Sequence, residues 1–298
     1  MGLKDMFSAM RKEGYVSGPL DRWLFETSNQ PDNDRAVNVN APSAAGNCWR
    51  ANYYSRTGEH SDGTIDARLQ RIFDNGTHVH LRLQKYLTEM DLLLMDEVPV
   101  LNIPLNIQGH TDGYLLLPEN EIGILEIKSM NDNQFSALHD AKDHHKKQGL
   151  IYLYCAEERR KYLREIYETE AEFNVSYDER AREFEKRYQH LRDGRKFSRE
   201  EKISNEVKLN MLSDNILFHT EKPIKKVIFL YENKNTQELK EFCVERNMET
   251  ESILQSVLED YEFLNECVEK KEIPDREGDS KSCQFCRWCN YKNTCWVV

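Results

Sequence analysis

Two apolar runs, TDGYLLL at 111–117 and IGILEIKSM at 122–130, are separated by a Pro-Glu-Asn turn, and both carry charge toward one end. Short apolar runs bounded by turn residues read as strands, and a tight turn between two of them reads as a hairpin. Asp112 sits in the first run; Glu126 and Lys128 sit near the end of the second. A buried charge is costly unless it is paired or holds a metal. Residues two apart in a strand share a face, so Glu126 and Lys128 point the same way and Ile127 is buried opposite. A chain that buries these strands must therefore gather an aspartate, a glutamate and a lysine at one place.

Such a set suits the cutting of a phosphodiester. That reaction needs a nucleophilic water, neutralisation of the phosphate and help for the leaving oxygen, and a carboxylate-bound Mg²⁺ or Mn²⁺ supplies all three. Hard cations take oxygen ligands, usually one or two carboxylates with waters and substrate phosphate. Asp112 and Glu126 are the expected carboxylates, the Ile127 carbonyl lies near the metal, and Lys128 orients water or neutralises developing charge.

An acidic residue followed by Glu-x-Lys at the end of an apolar strand, GHTDGYLLLPENEIGILEIK here, resembles the PD-(D/E)XK nucleases. The stretch NGTHVHLRLQKYL, with Gly76 and His80, resembles the Gly-x-x-x-His helix that supplies a histidine ligand in RecB-like members; His78 is the fallback. In KKQGLIYLY, Gln148 and Tyr152 lie one helical turn apart on one face. That pair resembles the Gln-x-x-x-Tyr motif of RecB-family exonucleases. The resemblance implies a single domain over 1–298 of α/β (α+β) class, with a mixed central sheet flanked by helices. It implies metal ligation of Mg or Mn by His80, Asp112 and Glu126, and engagement of the substrate strand, or support of the site, by Gln148 and Tyr152. Exonuclease action on DNA ends or single strands is likewise implied by the resemblance alone.

The eight cysteines are unevenly spread. Cys155, Cys243 and Cys267 stand alone and read as small buried apolar residues. Cys283, Cys286, Cys289 and Cys295 crowd into CQFCRWCNYKNTC, and Cys48 lies near the N-terminus. With no secretory signal, a crowded set reads as metal binding before disulfides. Cys286, Cys289 and Cys295, taken with Cys48, resemble the iron–sulfur nucleases: CRISPR-associated adaptation exonucleases, the AddB nuclease domain and phage relatives. The resemblance implies a [4Fe–4S] cluster that joins Cys48 to the segment 274–298. Cys283 is a fifth thiol able to substitute, for Cys48 or Cys286, and its run with Cys286 and Cys289 also resembles ferredoxin spacing. Zinc is the inorganic alternative for four thiolates.

The resemblance covers about residues 40–155 and 223–298. Segment 156–210 is a charged helical insertion, read as a solvated hairpin or as an arm touching DNA backbone through Arg180, Arg187, Arg192, Arg195 and Lys196. Elsewhere a helix is expected from an N-cap at Ser43, a helix over 64–90 broken near Gly76, a strand over 97–107, a helix over 135–155, a strand over 225–234 and a helix over 236–270.

Net charge is −11, from 41 basic and 52 acidic residues, so a DNA partner requires a local basic groove. No apolar run approaches the ~20 residues of a membrane span. The N-terminal stretch has no signal-peptide core, which makes cytoplasm, or host cytoplasm, the expected location. Recombination or CRISPR adaptation proteins are the expected protein partners. The rival reading is a non-catalytic DNA-binding or scaffold subunit. An electron carrier would explain the cysteines but not His80, Asp112, Glu126 and Lys128.

Overall fold

The computed structural model describes residues 14–29, 38–188, 199–283 and 286–297. Helix α1 (Ser17–Ser28) precedes a 3₁₀ turn at Pro42–Ala44, then α2 (Trp49–Thr57) and α3 (Ala67–Glu89). Strands β1 (Leu93–Asn102), β2 (Ile107–Leu117) and β3 (Glu121–Met130) follow, then helices α4 (Asp132–Ser136), α5 (Asp143–Ile166), α6 (Glu170–Tyr188) and α7 (Arg199–His219). The chain closes with β4 (Lys226–Asn233), β5 (Leu239–Glu245), α8 (Met248–Lys270) and α9 (Lys292–Val297).

The five strands form one sheet in chain order. All neighbours are antiparallel except the central pair β3–β4, which is parallel. This is the expected α/β (α+β) architecture, a mixed sheet flanked by helices. Successive strand residues face opposite sides, so β3 serves two cores. Leu125 and Ile127 pack with Val79 and Leu83 of α3; Ile122 and Ile124 join the larger core with Leu150, Ile151 and Leu153 of α5. The middle of α5, Gln148 to Leu153, is buried on every side between the sheet and α8. A side chain at Gly149 would place its first carbon 2.7 Å from Phe229 and 3.0 Å from Val227 of β4. The missing side chain is therefore what lets α5 lie against the sheet at the level of Gln148.

Several local expectations change. Ser43 falls inside the 3₁₀ turn, and Cys48 rather than Ser43 caps the helix that follows. Gly76 does not interrupt α3, because burial of the Val79–Leu83 face outweighs a glycine cost of about 1 kcal/mol. The run over 97–107 is not one strand: the Leu105 amide donates to the Asn102 side chain, Asn106 adopts φ 51°, and the chain reverses between β1 and β2. The helix expected over 135–155 begins at Asp143. Residues 239–245 are an edge strand, and Asn247 starts α8 through a reciprocal capping box with Thr250. Cys243 lies exposed on that edge rather than buried.

The charged segment is built into the body. Phe173 is fully buried and stacks on Phe218, and α7 packs on both α5 and β1. Arg180 does not extend toward a ligand: with Arg159 it clamps the buried Asp214. Arg187 also has a partner. Arg192, Arg195 and Lys196 lie outside the described residues. Among the described residues no helix is long and apolar enough to cross a membrane.

Candidate active site

The β2–β3 ladder ends at the pair Gly113–Leu125. Beyond it the strands separate, and side chains of β2 take over from its backbone. The Thr111 hydroxyl donates to the Leu125 carbonyl at 2.7 Å. The Ile127 amide donates to Asp112 Oδ2 at 2.5 Å. Ile127 thus meets Asp112 through its N–H. The other oxygen, Oδ1, lies 2.9 Å from His80 Nδ1. One helical turn after His80, Gln84 Nε2 donates to the Asp112 carbonyl at 2.9 Å and to Glu97 at 3.1 Å. Helix α3 therefore holds Asp112 by both side chain and backbone.

On the α5 side, Lys128 Nζ donates to Glu126 Oε1 at 2.5 Å and to Gln148 Oε1 at 3.1 Å. The Gln148 amide donates to the Tyr152 hydroxyl, which donates to the His110 carbonyl, each at 2.8 Å. The sequence-predicted residues thus form two hydrogen-bonded groups where β2 and β3 part, His80 with Asp112 and Lys128 with Glu126, Gln148 and Tyr152, and the charges of Asp112 and His80 act on Glu126. His78 does not join them; it lines a separate hollow with Arg82 and Glu232.

Glu126 decides the electrostatics. It is 3% exposed, and its second oxygen, Oε2, is buried with no hydrogen-bond partner among the described residues. Burial, reinforced by the charge of Asp112 and opposed by Lys128, pushes its carboxyl up to about 7. Burial works against a charged His80, but the hydrogen bond and charge of Asp112 prevail and raise it above its ordinary value. Burial raises the Tyr152 phenol far enough to keep it neutral.

Two residues escaped sequence reasoning. Tyr231 of β4 stands beside Lys128 in the parallel register, and its hydroxyl lies 2.7 Å from His145 Nδ1. Burial, then the charge of Lys128, depresses His145 to about 3, so it is a neutral imidazole. His145 precedes Gln148 by three positions, so the two share a helix face; that spacing was its only sequence signal.

A divalent cation fits this chemistry in one respect: an orphaned, buried carboxylate oxygen beside a second carboxylate and an imidazole is a cation's surroundings. As the side chains stand, they bond to one another, and among the described residues no three His, Cys, Asp or Glu side chains close round a single ion.

The cysteines form a second centre. Burial raises the Cys289 thiol, with Cys48 and Cys295 acting on it; burial raises Cys286, with Cys283 and Cys295 acting on it. Cys48 and Cys289 line one cavity and Cys283 and Cys286 flank Gly278, but among the described residues no three of these thiols close round a single ion. A side chain at Gly278 would place its first carbon 2.6 Å from Cys283 Sγ and 2.8 Å from Cys286 Sγ, so the glycine cradles both sulfurs. Hydrogen bonds already tie the start of α2 to this region. Trp49 N donates to Glu277, Arg50 Nε to the Pro274 carbonyl, and Arg50 Nη1 to the Cys295 carbonyl.

Fold and site together define an α/β (α+β) protein with an ionic centre where its sheet strands part. No family model and no curated protein matches the chain. A solved structure of SSO0001 is similar over 96% of this chain and 98% of its own, at 15% identity and a TM-score of 0.44. The alkaline exonuclease LHK-Exo from Laribacter hongkongensis is similar over 84% of this chain and 97% of its own, at 11% identity and a TM-score of 0.38. At these scores neither likeness fixes a function.

Proposed function

We propose that the chain is a Mg²⁺- or Mn²⁺-dependent deoxyribonuclease of the RecB-like PD-(D/E)XK type, acting as an exonuclease on DNA ends or single strands. The observation that carries the reading is the buried Glu126, one oxygen tethering Lys128 and the other unpartnered, beside Asp112 and His80. Glu126, Asp112 and His80 would hold the ion, which when bound supplies charge neutralisation and an activated water. Lys128, held between Glu126 and Gln148, would orient the attacking water or neutralise the developing negative charge. The Gln148–Tyr152 pair sets the height of Lys128 and anchors it through the His110 carbonyl.

Cys48, Cys286, Cys289 and Cys295, with Cys283 in reserve, would hold a [4Fe–4S] cluster of structural role, with zinc the alternative occupant; the cysteine spacing and its resemblance to iron–sulfur nucleases support this. Service in phage recombination, DNA repair or CRISPR adaptation belongs to the same proposal and rests on the motif resemblance.

The test is direct. Protein purified without oxygen is incubated with end-labelled single- and double-stranded DNA in Mn²⁺, Mg²⁺ or EDTA, and its visible spectrum is recorded. Release of nucleotides in metal and none in EDTA is expected, with loss of release in Lys128→Ala. DNA binding without cleavage in any metal would assign the chain to the scaffold class instead.

A further inference from the structure

A cavity of about 510 Å³ lies between the 3₁₀ turn, α2 and the C-terminal cysteine segment. That is within the size range of small-ligand sites, roughly 300–1,000 Å³. Its lining is polar, and its wall contains a guanidinium with no counter-charge among the described residues. Arg56 is 5% exposed. Its Nε and Nη2 donate to Asn38 Oδ1, and its Nη1 to Asn40 Oδ1. Both acceptors are neutral amides, and among the described residues Arg56 pairs with no carboxylate. Burial accordingly pulls the guanidinium below its ordinary value. A guanidinium has five N–H groups, so one on each terminal nitrogen is left uncommitted. Burying an unpaired charge is costly, which makes the wall a seat for an anion.

The rest of the lining says which anion. Ser43, Asn47 and Ser55 contribute exposed hydroxyl and amide groups, and Tyr291 and Trp288 contribute rings. Trp288 is 82% exposed, and Arg287 lies over its ring at 5.3 Å, leaving ring surface open to a base. Cys48 and Cys289 line the same cavity. At the rim the side chain of Lys147, the residue before Gln148, lies against Gly46.

We propose that this cavity binds one nucleotide unit of a single DNA strand, its phosphate on Arg56, its base stacked on Trp288 and its edge read by Asn47. The single strand is specified because a base in a duplex is not free to leave its stack and enter a wall pocket. The inference rests on the nuclease reading for the identity of the polymer, but it is tested without cleavage.

The experiment is fluorescence anisotropy of a labelled twelve-residue oligothymidylate with the full chain as isolated, in EDTA. Trp288→Ala and Asn47→Asp, both at exposed positions, should each weaken binding about fivefold or more, the scale of losing one stacked base. Arg56→Gln should weaken it further, and a twelve-base-pair duplex should compete poorly. Unchanged affinity in both Trp288→Ala and Asn47→Asp overturns the proposal. So does competition by inorganic phosphate at concentrations matching the oligonucleotide, which would reveal a plain anion site. Cleavage in Mn²⁺ is measured in parallel on the same wild-type protein. Pocket-dependent binding without cleavage sinks the nuclease reading and keeps the cavity; cleavage with pocket-independent binding does the reverse.

Discussion

Asp112 takes the Ile127 amide hydrogen at the point where the β2–β3 ladder has already ended. The carboxylate thus replaces a backbone acceptor and faces His80 with its other oxygen. The two duties separate by substitution. Asp112→Asn retains an acceptor for Ile127 and should keep near wild-type stability while losing cleavage. Asp112→Ala leaves that amide unsatisfied and should unfold about 1–3 kcal/mol more easily. Urea denaturation of the two variants, alongside a nuclease assay, distinguishes them; equal stability would remove the structural half of the argument.

Lys128 makes its two bonds from a partly exposed position. Lys128→Ala should therefore retain the fold and the visible spectrum yet lose about 10²-fold or more in cleavage rate, the scale of removing one charge-stabilising group. Digestion at the wild-type rate by purified Lys128→Ala would end the catalytic assignment.

Tyr152 joins Gln148 to the His110 carbonyl through a single buried hydroxyl. Tyr152→Phe strands both partners and should cost about 1–3 kcal/mol in thermal unfolding. Because Gln148 holds Lys128, turnover should fall as well, with a smaller loss than in Lys128→Ala.

Glu126 is raised to about 7 from an ordinary 4.5, chiefly by burial. A carboxyl raised on folding favours the folded state below its unfolded value and loses that contribution as pH climbs through the folded one. In EDTA the wild type should therefore lose stability between about pH 4.5 and 7, and Glu126→Gln should flatten that dependence. Added Mg²⁺ should recover stability at pH 8 in the wild type only. Melting curves across pH, with and without the ion, provide the check; a Glu126→Gln curve parallel to wild type would contradict it.

Cys289 lies among thiols contributed by residues far apart in the chain. By cross-link entropy, closing so long a loop contributes on the order of 5 kcal/mol, comparable with a domain's whole stability. Cys289→Ala is expected to be colourless and prone to aggregate. A well-folded Cys289→Ala with full absorbance near ~400 nm would show that the thiol is dispensable.

The sheet centre and its charges were legible because they break a rule locally: Asp112, Glu126 and Lys128 interrupt apolar runs, and Gln148 and Tyr152 share a helix face by spacing alone. His80 was legible only through motif order. What escaped reading depends on tertiary packing. β5 carries alternating charge on an edge, and its neighbour's Asn247 cap was the signal to end a strand there rather than continue a helix. Arg180 reads as a free cation until α7 brings Asp214 to it. Tyr231 and His145 carry no motif; they meet only because β4 lies parallel to β3.

That parallel pairing joins Gly123 to Lys226, more than a hundred positions later. At synthesis rates of roughly 5–20 residues per second, several seconds separate emergence of the two strands from the ribosome. Through that interval the strand bearing Glu126 and Lys128 has one flank without its hydrogen-bonded neighbour. Nascent or prematurely terminated chains ending before β4 would display that unpaired apolar strand edge, the kind of surface that promotes association.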